Sequence, residues 1–519
     1  MNRATRIFAA ALPLAAAVTL IAPNAYASTA HAPGKSPAPG ISCEHVAVPA
    51  PAGSRIESIT AVSKPGGTLQ FPIPLGGTDL PAPVTGVPEY CQVDVTLTHD
   101  GTDHENIEVW LPARKAAWNG RFEALGGSGY AAGDYNTDLA NAVKQGYAVG
   151  TQNSGLTPET GWTAPWALKA DGTVNQTLLA NFASRGAHEL SVVAEAAIRA
   201  YYGQAADYSY WNGCSTGGRQ GLVEAQQYPR DFDGILAAAP AVSWDKFAPS
   251  DLWPYVVENE QHDQPTAAEF AAFNKAAIAR GDVLDGSADG LSEQPFTNDF
   301  NPYSIVGQKV VEADGTTGTI SKADAEVVKQ IWAGPVDSHG KQLWYGIPKG
   351  ADFTYLAGAY APFTVAGDWI ASFVEEKPAY DLKSIGYAQF EKIFNQSVAQ
   401  FHSTIGSDST DLRSFDKAGG KLITWQGTAD QLIPIGDTKA YYDGVAAHKQ
   451  LGHDQVADYY RLFFVPGASH CAPGDGPAPA DALGALEKWV EKGHAPTALT
   501  AGERRVPAYA APAATHHGK

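Results

Sequence analysis

Two dipeptides far apart in the chain, Cys214-Ser215 and His470-Cys471, offer a nucleophile and a base, each with a cysteine as immediate neighbour. A disulfide holds its β-carbons about 4 Å apart. If Cys214 and Cys471 bridge, Ser215 and His470 fall near the ~3 Å at which an imidazole can take a hydroxyl proton. The chemistry implied is covalent: Ser215 Oγ attacks an electrophilic carbon while His470 shuttles the proton.

The segments around these residues fit the same chemistry. Ser215 stands in Gly213-Cys214-Ser215-Thr216-Gly217, after the strand-like run Tyr208 to Trp211 and before a helix-like run from Gly218 to Ala225. G-x-S-x-G between a strand and a helix is a nucleophile elbow, in which glycines permit the tight turn and the helix N-terminal amides face the reacting oxygen. An acid follows in Gly427-Thr428-Ala429-Asp430, beyond the strand-like run Leu422 to Trp425, so the chain order is Ser, Asp, His. Asp430 would fix the tautomer of His470 and stabilise its imidazolium. Asp437 competes for that role, but its place past Pro434 and Gly436 suits a helix cap better. A tetrahedral oxyanion needs amide donors. The Thr216 N–H is one, and the loop Gly126-Gly127-Ser128-Gly129 supplies the second, with Gly127 and Ser128 as the candidates.

A separate acidic loop runs from Asp282 to Leu291. Asp282, Asp285 and Asp289, spaced by glycines, can wrap a hard cation, with backbone carbonyls of Ser287 and Leu291 completing an oxygen shell. A solvated acidic loop is the alternative, since the spacing differs from an EF-hand.

These sites need a scaffold, and the hydrophobic pattern predicts one. Residues 121–125, 147–151, 208–211, 232–236, 422–425 and 459–465 read as strands, and His188 to Tyr202 as a helix. Strands alternating with helices predict an α/β fold, a mostly parallel sheet with helices on both faces. The stretch 244–408 breaks that rhythm and is rich in aromatics, so it is read as an inserted lid domain. The core then comprises 41–243 and 409–500. Residues 28–40 and 501–519, rich in Pro, Ala, Ser and Gly, are expected to be a flexible linker and tail.

Arg3 and Arg6, the apolar stretch Ile7 to Ile21, and Ala25-Tyr26-Ala27 read as a signal peptide over 1–27, which predicts a secreted, extracellular protein. The apolar stretch is shorter than the ~20 residues that span a bilayer, so no membrane partner is expected. Four cysteines in an oxidising compartment allow three pairings. Position in the chain favours Cys43–Cys91 with Cys214–Cys471. A zinc site from Cys214, His470 and Cys471 is the rival, and it lacks the C-x-x-C spacing of structural sites. Fifty-five acidic against 36 basic residues give a formal charge of −19, which argues against nucleic acid as a partner.

Taken with their flanks, these residues resemble the tannase and feruloyl esterase family of secreted serine hydrolases, which includes mono(2-hydroxyethyl) terephthalate hydrolases. The resemblance rests on Cys214-Ser215, Asp430 and His470-Cys471, on Trp118-Asn119-Gly120-Arg121-Phe122, on the run Cys214 to Gly221, on Asp231 to Ile235 and on Gly419 to Leu422. It implies an α/β-hydrolase core with a large inserted lid and a calcium ion bound by Asp282, Asp285, Ser287, Asp289 and Leu291. No organic cofactor is expected. The function it implies is hydrolysis of a small-molecule or plant-polymer-derived aromatic ester, of feruloyl or galloyl type, through an acyl-enzyme. A terephthalate-type or other aryl esterase is the first alternative, and a non-catalytic phenolic- or carbohydrate-binding protein on the same scaffold the second.

Overall fold

The computed structural model describes residues 42–73, 80–133, 135–156, 161–291, 293, 295–357 and 361–510. The signal peptide and linker expected over 1–40 lie outside the described residues. A nine-stranded sheet organises the chain. Its strands are β1 (Arg55–Lys64), β2 (Tyr90–Thr98), β3 (Glu105–Pro112), β4 (Arg121–Leu125), β5 (Ala148–Gln152), β6 (Tyr208–Cys214), β7 (Gly234–Ala238), β8 (Lys421–Gly427) and β9 (Tyr460–Val465), in the order β1-β2-β3-β5-β4-β6-β7-β8-β9. The first three and β5 pair antiparallel, and β5, β4, β6, β7, β8 and β9 pair parallel. The parallel strands are short apolar runs, and β5 and β7 are buried at every residue, as a sheet covered on both faces requires.

Helices cover both faces. Against one lie α2 (Gly186–Tyr202), α3 (Thr216–Gln227) and α8 (Ile435–Ala447), and against the other α1 (Thr137–Lys144) and α9 (Ala482–Lys492). Leu190, Val193, Ala197, Leu222 and Tyr442 belong to the first core, and Leu139, Val143, Leu486 and Trp489 to the second. This is the α/β-hydrolase architecture expected from the sequence. The antiparallel strands β1 to β3 went unread, although Val93, Val95 and Leu97 in β2 and Ile107, Val109 and Leu111 in β3 carry the period-two alternation of a half-buried strand.

Between β7 and β8 the chain runs through α4 (Trp244–Ser250), α5 (Trp253–Gln261), α6 (Ala267–Asp285) and α7 (Tyr387–Ile405). Trp244, Trp253, Phe270, Phe353, Trp369 and Phe390 form a cluster of their own. Tyr130, Trp166 and Phe182, from loops and a helical turn of the core, join it, as do Leu432 and Ile433.

The expectation of a flexible tail from residue 501 is corrected for 501–510. Ala498–Ala501 and Arg504–Pro507 form an antiparallel hairpin, and the Tyr509 N–H donates to Leu462 O at 2.7 Å. Burial of Leu499 and Val506 against Trp489 outweighs the polar composition of this segment.

Candidate active site

Four loops leave the C-terminal ends of parallel strands and converge: 126–130 after β4, Ser215 after β6, Asp430 after β8 and His470 after β9. That edge is where open α/β sheets place their sites. The loops after β8 and β9 are lashed together, with Thr428 N–H donating to Val465 O at 2.9 Å, Ala429 N–H to Ala468 O at 3.1 Å and Gly467 N–H to Thr428 Oγ1 at 2.9 Å. Their approach is so close that a Cβ on Gly427 would sit 1.9 Å from Ala468 O. Only glycine fits there.

Ser215 has φ 60° and ψ −119°, the strained backbone of a nucleophile elbow, at the N-terminus of α3. Its N–H donates to Ala238 O at 3.0 Å, and its carbonyl accepts from Arg219 N at 2.9 Å and Ala241 N at 3.2 Å. The turn is thus fastened on both sides of the strained residue. The disulfide Cys214–Cys471 is present, with Cα atoms 5.9 Å apart, and Cys43–Cys91 is the second bridge. Both cysteines beside Ser215 and His470 are therefore consumed in a sulfur bridge, which removes the thiolate zinc alternative.

His470 Nδ1 lies 3.0 Å from Asp430 Oδ2. A carboxylate only accepts, so the shared proton sits on Nδ1 and Nε2 is left as the base. Asp430 is fully buried and accepts four hydrogen bonds: Leu432 N and Ile433 N at 3.0 and 2.8 Å on Oδ1, Gln426 Nε2 at 3.0 Å and the imidazole on Oδ2. Gln431 Oε1 accepts from the His470 N–H at 3.0 Å. Ser215 Oγ and His470 Nε2 do not form a hydrogen bond with each other in this structure; such contacts are often long before substrate arrives. Asp437, the competing acid, lies in the first turn of α8, where burial pushes its carboxyl up to about 7. It faces Ser243 Oγ at 3.5 Å, not His470.

The oxyanion loop is arranged differently from the expectation. The Gly127 N–H donates to Gln220 Oε1 at 2.9 Å and the Ser128 N–H to Ala131 O at 3.0 Å, so neither candidate amide is free. Gly126 N–H donates to Asn212 O and Tyr130 N–H to Gly161 O. Among the described residues, Gly129 holds the one unengaged amide between 126 and 131. Sequence alone did not single it out, because three glycine-loop amides look equivalent until their partners are known. The Thr216 N–H, the other expected donor, is likewise without a backbone acceptor at the start of α3.

Two buried ionisable groups near the elbow also escaped the sequence reading. Arg219 is fully buried, with Nη1 and Nη2 donating to Ala183 O and Phe182 O at 2.7 Å, and its guanidinium lies 5.1 Å from the Phe182 ring centre. Burial lowers it to about 9. Asp251, between α4 and α5, is 2% exposed, and burial together with the charge of Asp430 holds its carboxyl well above the usual range. Asp251 precedes the apolar pair Leu252-Trp253, a weak signal of burial, whereas Arg219 stands among Gly218, Gln220 and Gly221 and offers none.

In the acidic loop, α6 ends at Gly286 with φ 80°. Asp285 Oδ1 and Oδ2 accept from Ser287 N and Glu293 N, Asp289 Oδ1 from Leu291 N, and Asp289 Oδ2 from Ser287 Oγ and the Arg504 guanidinium. Asp282 Oδ1 is buried without a partner. No three His, Cys, Asp or Glu side chains form a ready metal cage among the described residues.

The sheet order and the elbow at Ser215 define an α/β-hydrolase architecture, and the family and relatives that follow make it a carboxylic ester hydrolase. Residues 91–515 match the family described as tannase and feruloyl esterase, and the chain belongs to that family. The "Probable feruloyl esterase" of Arthroderma benhamiae is 41% identical over 471 residues, covering 88% of this chain and 86% of its own. The "Probable feruloyl esterase B-1" of Aspergillus fumigatus is 30% identical, covering 79% and 78%. Among solved structures, tannin acyl hydrolase from Aspergillus niger superposes with a TM-score of 0.79 at 27% identity, covering 89% of this chain and 90% of its own. Feruloyl esterase B from Aspergillus oryzae follows at 0.76 and 25%, covering 90% and 95%.

Proposed function

We propose that this protein hydrolyses aromatic acyl esters of feruloyl or galloyl type through a Ser215–His470–Asp430 triad. The observation that carries the reading is the elbow at Ser215, tied by Cys214–Cys471 to a histidine whose Nδ1 is held by a buried, four-fold bonded aspartate. Ser215 Oγ attacks the ester carbonyl while its proton passes to His470 Nε2. The carbonyl oxygen, now an oxyanion, takes hydrogen bonds from the Thr216 and Gly129 amides. The C–O bond breaks, the alcohol leaves with the proton from Nε2, and an acyl-Ser215 ester remains. Water, deprotonated by the same nitrogen, releases the acid and restores Ser215.

The substrate class follows the relatives, named for feruloyl esters and tannin. The aromatic cluster built on 244–408 supports a lid over the site, and the two disulfides support maturation in an oxidising compartment outside the cell. No helix among the described residues is long and apolar enough to cross a membrane.

We extend the proposal to calcium as a structural ion of the acidic loop, where Asp282, with its orphaned buried oxygen, Asp285, Asp289 and the carbonyls of Ser287 and Leu291 would hold it once Arg504 releases Asp289. Bound there, it would stiffen the loop that ends α6 and take no part in the ester chemistry.

Initial rates on methyl ferulate, methyl gallate and a terephthalate monoester test the reading. We expect turnover of the first two, preferred over the third, and none by Ser215→Ala with an unchanged fold. Turnover by that variant sinks the triad, and a strong preference for the terephthalate ester sinks the substrate class.

A further inference from the structure

We infer that the Thr216 hydroxyl and the Gln220 amide are positioning residues, a clamp that fixes the glycine loop to the nucleophile helix and sets the separation of the two oxyanion donors. The inference rests on the triad reading above. Its basis is the way each peptide of the loop is held.

Four hydrogen bonds cross between the start of α3 and residues 127–132. Gly217 N–H donates to Gly127 O at 2.9 Å, Gln220 Oε1 accepts from Gly127 N at 2.9 Å, Gln220 Nε2 donates to Ala132 O at 2.9 Å, and Thr216 Oγ1 donates to Gly129 O at 2.6 Å. Gln220 therefore grips the loop at both ends and Thr216 grips it in the middle. The peptide joining Gly129 to Tyr130 is held at its oxygen by Thr216 and at its nitrogen by Gly161. The preceding peptide is held at Ser128 O by Ala131 N at 2.9 Å. Its nitrogen is that of Gly129, left free for a ligand.

Thr216 and Gln220 are 0% and 1% exposed, and both elements touch directly, since a Cβ on Gly126 would lie 2.5 Å from Gly217 Cα. A buried hydroxyl with a single fixed acceptor has no alternative partner, so the bond defines the geometry. Thr216 thus contributes twice: its amide to the oxyanion, and its hydroxyl to the backbone that carries the other amide. Donors aimed at developing charge are effective only when held before the reaction begins. A displacement of about 1 Å costs on the order of 100-fold in rate.

The test compares Thr216→Val with Thr216→Ser, and Gln220→Leu with Gln220→Glu, in the full chain. Steady-state kinetics on methyl ferulate, the rate of Ser215 labelling by a phosphonate and thermal unfolding are measured for each. Loss of the clamp should lower kcat about 10–100-fold, with KM within about threefold, for Thr216→Val and Gln220→Leu. Phosphonate labelling, which also places an oxygen between the donors, should slow in parallel. Thr216→Ser should stay within about threefold of wild type, and Gln220→Glu, which keeps the acceptor for Gly127 but loses the donor, should fall between. If Thr216→Val does not fold, Thr216→Ala is read in its place. Folded Val or Leu variants with wild-type kcat and labelling overturn the clamp, while an inactive Ser215→Ala still upholds the triad. An active Ser215→Ala overturns the triad itself.

Discussion

Cys214 and Cys471, 257 residues apart in sequence, are bonded with their Cα atoms 5.9 Å apart, which joins the residue before Ser215 to the residue after His470. Closing so long a loop in the unfolded chain is worth about 5–6 kcal/mol in the chain-entropy account. The bridge also fixes two loops that otherwise hang from different strands. Cys214→Ser/Cys471→Ser should therefore lose both stability and kcat, the latter by about 10–100-fold. Cys43→Ser/Cys91→Ser, which opens a 48-residue loop remote from the site, should lower the melting temperature but leave kcat within about threefold. Melting curves and kinetics on both double variants check the contrast.

Asp430 and Asp437 are chemically alike and seven positions apart, yet only Asp430 meets the His470 ring, while Asp437 faces Ser243 Oγ. Asp430→Asn would present an amide to His470 and favour the wrong tautomer, so kcat should fall about 10³–10⁴-fold. Asp437 is pushed up to about 7 by burial and faces Ser243, not His470, so an amide in its place should leave activity within about threefold. Its folded pKa is raised, so its stabilising contribution is complete below pH ~4 and is lost as pH rises to about 7. Asp437→Asn should therefore gain stability relative to wild type between pH 4 and 8, on the order of 2–4 kcal/mol at the upper end. Denaturation at both pH values reads it.

Calcium, if held by the 282–291 loop, stabilises the folded state by mass action. Chelator should lower the melting temperature by several degrees, and added calcium should restore it. Asp282→Asn, which alters the carboxylate carrying the orphaned oxygen, should abolish that calcium dependence. KM and kcat at 25 °C should change little. An unchanged melting curve with and without chelator excludes the ion from this loop.

The parallel half of the sheet was legible because most of its strands are short runs rich in apolar residues, several of them flanked by glycine or proline, and the proposed triad could be read because its types, order and cysteine neighbours are rare together. What the sequence concealed depended on partners. Gly127, Ser128 and Gly129 differ only in who accepts from their amides, and Gln220 decides one of those from 93 residues away. Residues 501–510 read as a polar tail because the surface that buries Leu499 and Val506 belongs to α9. Asp251 gave one weak signal, a carboxylate beside Leu252 and Trp253, but it is burial in the folded chain, with the charge of Asp430 added, that holds its carboxyl above the usual range.

Gln426 provides the last contrast. Its Nε2 donates to Asp430 Oδ2 at 3.0 Å and to Ile433 O at 2.8 Å, while its Oε1 is buried without a partner. A hydrogen bond to a charged group is worth about 1.5–3 kcal/mol. Asp430 keeps the same charge before and during the reaction, so this donor supports ground state and transition state nearly alike, and uniform support of that kind contributes little to kcat. Gln426→Leu should accordingly lower unfolding free energy by about 2 kcal/mol while kcat drops less than about tenfold. Asp430→Asn should also lose stability, since it gives up acceptors for the same charge-assisted bonds, but its loss of kcat should be by far the larger effect. Urea denaturation and single-turnover rates on the two variants separate the roles; a Gln426→Leu enzyme that is fully stable but catalytically dead would place Gln426 in the chemistry instead.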